Sequence, residues 1–190
     1  MHDFSGIILS KVLGIPHWVF RATNSHEDPR GAFAIPIELA LLEPALRDAG
    51  WPLQGPLRQL NVSVSNDALT ARGAHASNAG KLCFVLAGSF NCAVVDLRLP
   101  RTATFGVVEH LHNDYISSMA FYIPPGYGNC AMSLVPGSMY VYALDADFDP
   151  AAERVVNMAG LDIDWPLPPR LISAKDKAGL TLVQYEASYG

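Results

Sequence analysis

A chain of 190 residues is long enough for one domain with a sizeable hydrophobic core, and a single domain over residues 1–190 is expected. Half of the residues are hydrophobic and 16% are charged, which excludes a disordered chain. A net charge of -5 argues against a nucleic-acid or anionic-membrane surface, though not against a local basic pocket. No apolar run approaches the length of a membrane span, and Met1-His-Asp-Phe-Ser5 carries an acid without a basic region, so a cytoplasmic location is expected. Cys83, Cys92 and Cys130 are odd in number and lack CxxC spacing, which predicts reduced, buried, structural thiols.

In chain order, Leu39, Leu42 and Leu46 recur at helical spacing between Pro36 and Gly50, and Pro44 predicts a kink or break in that helix. Beyond it the pattern is mainly β. Residues 81–86 and 91–99 flank Ala87-Gly88-Ser89, a hairpin-like turn. Residues 119–123 end at Pro124-Pro125-Gly126, a strong turn signal. Residues 138–144 and 180–186 are expected as further strands, and Pro150-Ala-Ala-Glu-Arg154 as a helical turn. Many short strands after a single early helix predict an all-β antiparallel sandwich or barrel.

One stretch of strand carries unusual chemistry. Arg72, His75 and Lys81 fall within ten positions on runs that otherwise suit buried strand, where charged heads cost several kcal/mol unless offset. Sites that act on anionic ligands make that trade, but a lone strand His is also commonly a satisfied core or rim residue. Tyr142 alternates with Tyr140 and alone suits packing. Asp96 and Arg98, two apart on one strand face, suit a structural ion pair.

The ordered set Arg30-Gly31-x-Phe33, Gln59-x-Asn61-x-Ser63, Arg72-Gly-x-His75, Gly80-Lys81-Leu82, Asp96-Leu-Arg98, Thr104-Phe105-Gly106, Ile123-Pro-x-Gly126, Tyr142, Trp165-Pro166 and Ser173-Ala-Lys-Asp176 resembles the dTDP-4-dehydrorhamnose 3,5-epimerase family. The resemblance implies a cupin-type jelly-roll barrel in a homodimer and cofactor-free epimerisation beside the keto group of a nucleotide-linked 4-keto-6-deoxy sugar. A weakly acidic proton next to a carbonyl needs a base on one face, a group holding the enolate oxygen, and a proton donor on the other face. By resemblance His75 is the base, Lys81 holds the enolate, and Tyr142 is the opposite-face acid. Gln59, Asn61, Arg72, Asn129, Phe148 and Trp165 are implied at the substrate, with Arg30 and Phe33 arriving from the other subunit. No cofactor and no metal are implied.

Several positions depart from the family's pattern. Two ways of aligning the aspartate that orients the catalytic His place it at Met158 or at Gly160, which predicts a base without its carboxylate unless Asp162 or Asp164 substitutes. Ile35 and Cys92 stand where the family has acids, and Asn129 replaces a His. These departures leave two alternatives: the same proton shuttle on a non-sugar ketone, or a catalytically silent ligand-binding relative. His110-Leu-His112 lacks the remainder of a cupin metal pattern and is expected on a polar surface strand; Asn61-Val-Ser63 matches a glycosylation sequon without secretory context.

Overall fold

Two antiparallel sheets face each other across the main core, in the arrangement of a cupin-type barrel. The computed structural model describes residues 6–19, 26–33, 37–114 and 119–190. The strands are β1 (Ile8–Leu9), β2 (Pro16–Val19), β3 (His26–Asp28), β4 (Gly31–Phe33), β5 (Gln59–Ser65), β6 (Thr70–Ala76), β7 (Lys81–Ala87), β8 (Ser89–Asp96), β9 (Val108–Asp114), β10 (Met119–Ile123), β11 (Tyr127–Ser133), β12 (Ser138–Leu144), β13 (Arg154–Val155) and β14 (Leu171–Ile172). Helix α1 (Leu39–Asp48) lies between β4 and β5; α2 (Ala174–Lys177) and α3 (Leu182–Tyr189) come last. The first sheet runs β1-β2-β10-β7-β12-β5 and the second β13-β6-β11-β8-β9, with β14 added parallel to β6.

Between the sheets lie Cys83, Val85, Phe90, Cys92, Val94, Phe121, Ile123 and Tyr140. Both sheets are also covered on much of their outer faces, which explains why their strands show near-continuous apolar runs rather than strict alternation. Helix α1 lays Leu42 and Leu46 over Leu82, Ala120, Tyr122 and Ala143 of the first sheet. The C-terminal segment lays Val156, Met158 and Tyr185 over Ala71, Ala74, Ala93, Val95 and Met132 of the second.

Three expectations change. Helix α1 runs through Pro44 as a single element; Pro44 forfeits one backbone hydrogen bond in the middle of the helix, and burial of Leu42 and Leu46 at 1% and 0% exposure holds the helix together. The expected start at Pro36 lies outside the described residues. The turn at Ala87-Gly88-Ser89 is not a hairpin, because β7 and β8 belong to different sheets. Gly88, at φ +73°, carries the chain across the barrel, and a Cβ there would stand 2.2 Å from Ser138 Oγ. Residues 182–189 form α3 rather than a strand. Thr181 and Gln184 make a reciprocal capping box, and Tyr185 buries one face of the helix.

Asp96 and Arg98 form the expected structural pair. Arg98 Nε and Nη2 donate to the carboxylate at 2.9 and 2.6 Å, and the Thr102 and Thr104 hydroxyls add bonds of 2.8 and 2.6 Å. Burial pushes the Asp96 carboxyl up, but the bonds from Arg98, Thr104 and Thr102 outweigh it and hold the group at about 2. A depressed carboxyl stabilises the fold fully above its ordinary value near 4, and that contribution is lost as pH falls towards 2. Urea unfolding should therefore show about 2 kcal/mol of stability that disappears between pH 5 and 2 in the wild type and is missing throughout in Asp96→Asn. Parallel pH curves for the two proteins would contradict this role.

Candidate active site

The pairing of β6 with β11 decides which side chains enter the barrel. In a regular strand, residues three apart point to opposite faces. Arg72 and His75 are three apart, yet their partners Ala131 and Asn129 are two apart, because the register shifts by one residue between them. This bulge turns both side chains into the same cavity. Gly73 sits at the bulge with φ +129°, where a Cβ would lie 2.5 Å from the Asn129 carbonyl oxygen. The Arg-Gly-x-His spacing is thus a requirement of the backbone as well as of the site.

Two adjoining cavities open between the sheets. One, of about 130 Å³, is lined by Ser63, Arg72, Gly73, His75, Lys81, Phe90, Asn129, Ala131, Tyr140 and Tyr142. The other, of about 170 Å³, has Gln59, Asn61, Ser77, Phe148 and Glu153 on its walls. His75, Lys81 and Tyr142 line both. His75 comes from the second sheet, and Lys81 and Tyr142 come from β7 and β12 of the first.

His75 has a carboxylate partner after all. Its Nε2 lies 2.7 Å from Asp176 Oδ1, a carboxylate 101 residues away and 3% exposed. A carboxylate only accepts, so Nε2 carries the proton and Nδ1 is left as the basic nitrogen of the neutral ring. Nδ1 stands 3.5 Å from Glu153 Oε1, while the other oxygen of Glu153 is taken by Lys175 Nζ at 2.6 Å. Lys175 and Asp176 are neighbours on α2, whose first turn is capped by Ser173 Oγ accepting from Asp176 N. This corrects the expectation that the base lacks its carboxylate because Met158 or Gly160 stands at the aspartate's place, and Asp176 rather than Asp162 or Asp164 supplies it. Met158 is a core residue, Gly160 lies in a 3-10 turn, and Asp162 and Asp164 are exposed.

Lys81 is 7% exposed, and its Nζ donates to the His75 carbonyl oxygen at 2.7 Å, tying the two sheets together. Burial lowers its ammonium to about 8. The lysine is placed by a second buried carboxylate: Asp145 accepts from Gly80 N at 2.7 Å, Tyr122 Oη at 2.6 Å, Gln54 N at 3.1 Å and Gln54 Nε2 at 3.2 Å. Burial raises Tyr142 above the ordinary phenol value, with Cys83 and Glu153 adding to the shift, so its hydroxyl holds its proton at neutral pH.

Around these groups, Arg72 Nη2 donates to the Val64 carbonyl and its Nε has no partner among the described residues. Gln59 Nε2 donates to Asn61 Oδ1 at 2.7 Å, and Asn61 Nδ2 is likewise unpartnered. Asn129 Oδ1 accepts from Tyr140 Oη at 3.1 Å. Phe148 is 47% exposed at the mouth of the larger cavity. Trp165 instead packs against the outer core of the second sheet and lines neither cavity. Arg30 lies in the exposed turn between β3 and β4; the Phe33 side chain and Ile35 lie outside the described residues. Phe90, Ala131, Tyr140, Glu153 and the bond from Asp176 were missed from sequence. Only the Ser-x-x-Asp cap of α2 marked any of them.

Cys83, Cys92 and Cys130 are free and buried, and burial raises all three thiols, Cys83 to about 12. No helix among the described residues is long and apolar enough to cross a membrane. Among those residues no group of three His, Cys, Asp or Glu could hold a metal ion, and His110 Nε2 accepts from Asp164 N at 2.9 Å.

Residues 13–184 match the family described as dTDP-4-dehydrorhamnose 3,5-epimerase. The chain belongs to this family. A dTDP-4-dehydrorhamnose 3-epimerase of Streptomyces niveus is 31% identical over 163 residues, covering 83% of this chain and 75% of that protein. NovW, a 4-keto-6-deoxy sugar epimerase from the novobiocin biosynthetic gene cluster of Streptomyces spheroides, superposes with a TM-score of 0.82 at 26% identity, over 96% of this chain and 89% of NovW. ChmJ, a 3'-monoepimerase from Streptomyces bikiniensis in complex with dTDP-quinovose, superposes at 0.79 with 27% identity, over 95% of this chain and 89% of ChmJ.

The buried Lys81 has a cost that can be measured without substrate. An ammonium lowered from 10.5 to about 8 opposes folding below pH 8, and the penalty fades as pH rises from 8 to 10.5. Lys81→Met should be more stable than the wild type at pH 7 by about 1 to 3 kcal/mol, with the gap closing by pH 10.5. A variant less stable at pH 7 would show that the bond to the His75 carbonyl outweighs the burial of charge.

Proposed function

We propose that this chain is a cofactor-independent epimerase that inverts carbon 3 beside the ketone of a dTDP-linked 4-keto-6-deoxy sugar. The observation that carries this reading is the Asp176–His75 pair facing a cavity that also holds Lys81 and Tyr142 from the opposite sheet. His75 Nδ1 takes the proton from C3, and Asp176 balances the imidazolium that forms. The electron pair moves on to the C4 oxygen, where the Lys81 ammonium holds the enolate. Tyr142 then delivers a proton to C3 from the other face, and the ketone returns. The choice of C3 follows the 3-epimerase of Streptomyces niveus and the 3'-monoepimerase ChmJ, which are similar over most of the chain.

The nucleotide belongs over the larger cavity. Exposed Phe148 offers a face for base stacking, and Gln59 and Asn61 offer amide donors and acceptors. The sugar then points into the smaller cavity, with Arg72 beside it.

A homodimer completes the reading. The outer face of edge strand β5 exposes Leu60, Val62 and Val64 at 64%, 53% and 48%, with Leu86 and Met139 alongside on the same sheet. That apolar stripe suits a second copy, which would also supply Arg30 and Phe33. Light scattering should report twice the chain mass, and Val62→Lys should shift the protein towards monomer. A monomeric wild type would contradict the dimer.

Incubation with a dTDP-linked 4-keto-6-deoxyhexose in deuterated water should place deuterium at C3. His75→Asn should abolish exchange, and Asp176→Asn should slow it by roughly a hundred- to ten-thousandfold. Tyr142→Phe should still exchange without inverting, since the base can return a proton to its own face. The rate should fall as pH rises through about 8, where Lys81 loses its charge. No exchange by the wild type would refute this substrate class and favour a non-sugar ketone; exchange by His75→Asn at the wild-type rate would refute the base.

A further inference from the structure

A proton taken up by His75 leaves by the nitrogen that received it. Asp176 already accepts from Nε2 at 2.7 Å, and its side chain is only 4% exposed, so it offers no path to water. The ring therefore loads and unloads at Nδ1. Glu153 Oε1 stands 3.5 Å from that atom, on the wall of the larger cavity and outside the smaller one. Strand β13 fixes this placement. Val155 pairs with His75 and Arg154 with Ala76, so the residue just before the strand lies over the end of β6.

Glu153 also reaches water. Its side chain is 21% exposed, and its Oε2 pairs at 2.6 Å with Lys175 Nζ, whose side chain is 57% exposed. The ion pair holds one oxygen at the surface and leaves the other for the ring. Neutral Nδ1 has no proton to donate, which fits the open gap of 3.5 Å. Once Nδ1 is protonated, closing that gap by about 0.7 Å makes a charge-assisted bond of ordinary length. Glu153 acts across the larger cavity as well. Burial dominates the shifts of Lys81 and Tyr142, and the charge of Glu153 adds an upward push to each.

We propose that Glu153 is the proton relay between His75 and water. The N–H bond at Nδ1 of the imidazolium breaks as an O–H bond forms at Glu153 Oε1, and water then takes the proton from the carboxyl. This rests on the proposed function above and goes beyond it, because inversion by two groups leaves both out of step. After one turnover His75 holds the proton from C3, and Tyr142 has given its own away. Neither acts again until a proton has left the ring and another has reached the phenol. Glu153 opens the first path, and Tyr142, which lines the larger cavity too, recovers its proton from water there. Because Glu153 stands outside the smaller cavity, the ring exchanges its proton while the sugar is bound.

The test runs a dTDP-linked 4-keto-6-deoxyhexose in deuterated water and compares deuterium in the recovered starting epimer with deuterium in the inverted one. In the wild type the proton on Nδ1 is exchanged before it returns, so the starting epimer becomes labelled. Glu153→Gln keeps the shape of the side chain but does not take up the proton. Label in the starting epimer should then fall about tenfold or more relative to the inverted epimer. Steady-state turnover should slow about tenfold more than a single turnover does, and acetate should restore part of it in Glu153→Ala. A reading without substrate accompanies these. In the protonated, nitrogen-15 labelled ring, exchange of the Nδ1 proton with water should be about tenfold slower in Glu153→Gln than in the wild type. An unlabelled starting epimer in the wild type, an unchanged label ratio in Glu153→Gln, or equal slowing of single and steady-state turnover would overturn the relay. If the wild type exchanges no nucleotide sugar, the substrate reading fails, and the ring-proton exchange decides the relay alone: slowed in Glu153→Gln it stands, unchanged it falls.

Discussion

The hydrogen bond between Asp176 and His75 is the constraint on which the rest of the site depends. It joins a barrel strand to a four-residue helix 101 positions later, across the end of the second sheet. Because Asp176 is almost fully buried, its charge has little water to turn to, and the imidazole N–H is its partner there. The ring is therefore fixed in orientation and in tautomer. The same helix holds Glu153 through Lys175 Nζ, and the free oxygen of that carboxylate stands 3.5 Å from the bare Nδ1, ready to pair with the ring once it is protonated. The long C-terminal segment matters for this reason. By covering the outer face of the second sheet with Val156, Met158 and Tyr185, it delivers α2 to the mouth of the barrel.

Two buried carboxylates, one for each sheet, hold the polar groups of the cavities in place. Asp176 orients the His75 imidazole. Asp145 holds the peptide before Lys81 through Gly80 N and braces it against Tyr122 and Gln54. Lys81 in turn bonds the carbonyl of His75, so the proposed base and the proposed enolate-holding cation are linked by backbone as well as by the cavity. Burial makes that cation weaker and the phenol of Tyr142 stronger at holding its proton. Both shifts arise from low solvation, the same cause that makes a small charge change near the ketone count for more than it would in water.

How much of this was legible in the sequence differs from element to element. The barrel class, the strands around Lys81 and Tyr142, the Asp96–Arg98 pair and the presence of Gln59, Asn61, Arg72, His75, Lys81, Asn129, Tyr142 and Phe148 around the cavities follow from motif order and spacing. The tertiary choices do not. Gly88 looked like a hairpin turn because nothing local states that β7 and β8 join different sheets. The strand expected at 180–186 had apolar residues that fit two periods, and the Thr181–Gln184 capping box decided for helix. Pro44 suggested a break, but packing of α1 outweighs one lost hydrogen bond. The spacing around the Trp-Pro motif offers no carboxylate for His75, and Ser173-Ala-Lys-Asp176, which supplies it, carries no local sign of that contact. A contact spanning 101 residues has no local signature, and the bulge that brings Arg72 and His75 to one face shows only as an odd spacing around Gly73.

Asp176 sets the protonation pattern of His75 and leaves Nδ1 as the basic nitrogen of the neutral ring. Nitrogen-15 NMR of the labelled imidazole reads this directly. In the neutral ring of the wild type the proton should sit on Nε2, with Nδ1 bare. Asp176→Asn presents an amide that can donate, and it should move the proton to Nδ1. A wild-type ring protonated mainly on Nδ1, or a tautomer unchanged by Asp176→Asn, would contradict this role of Asp176.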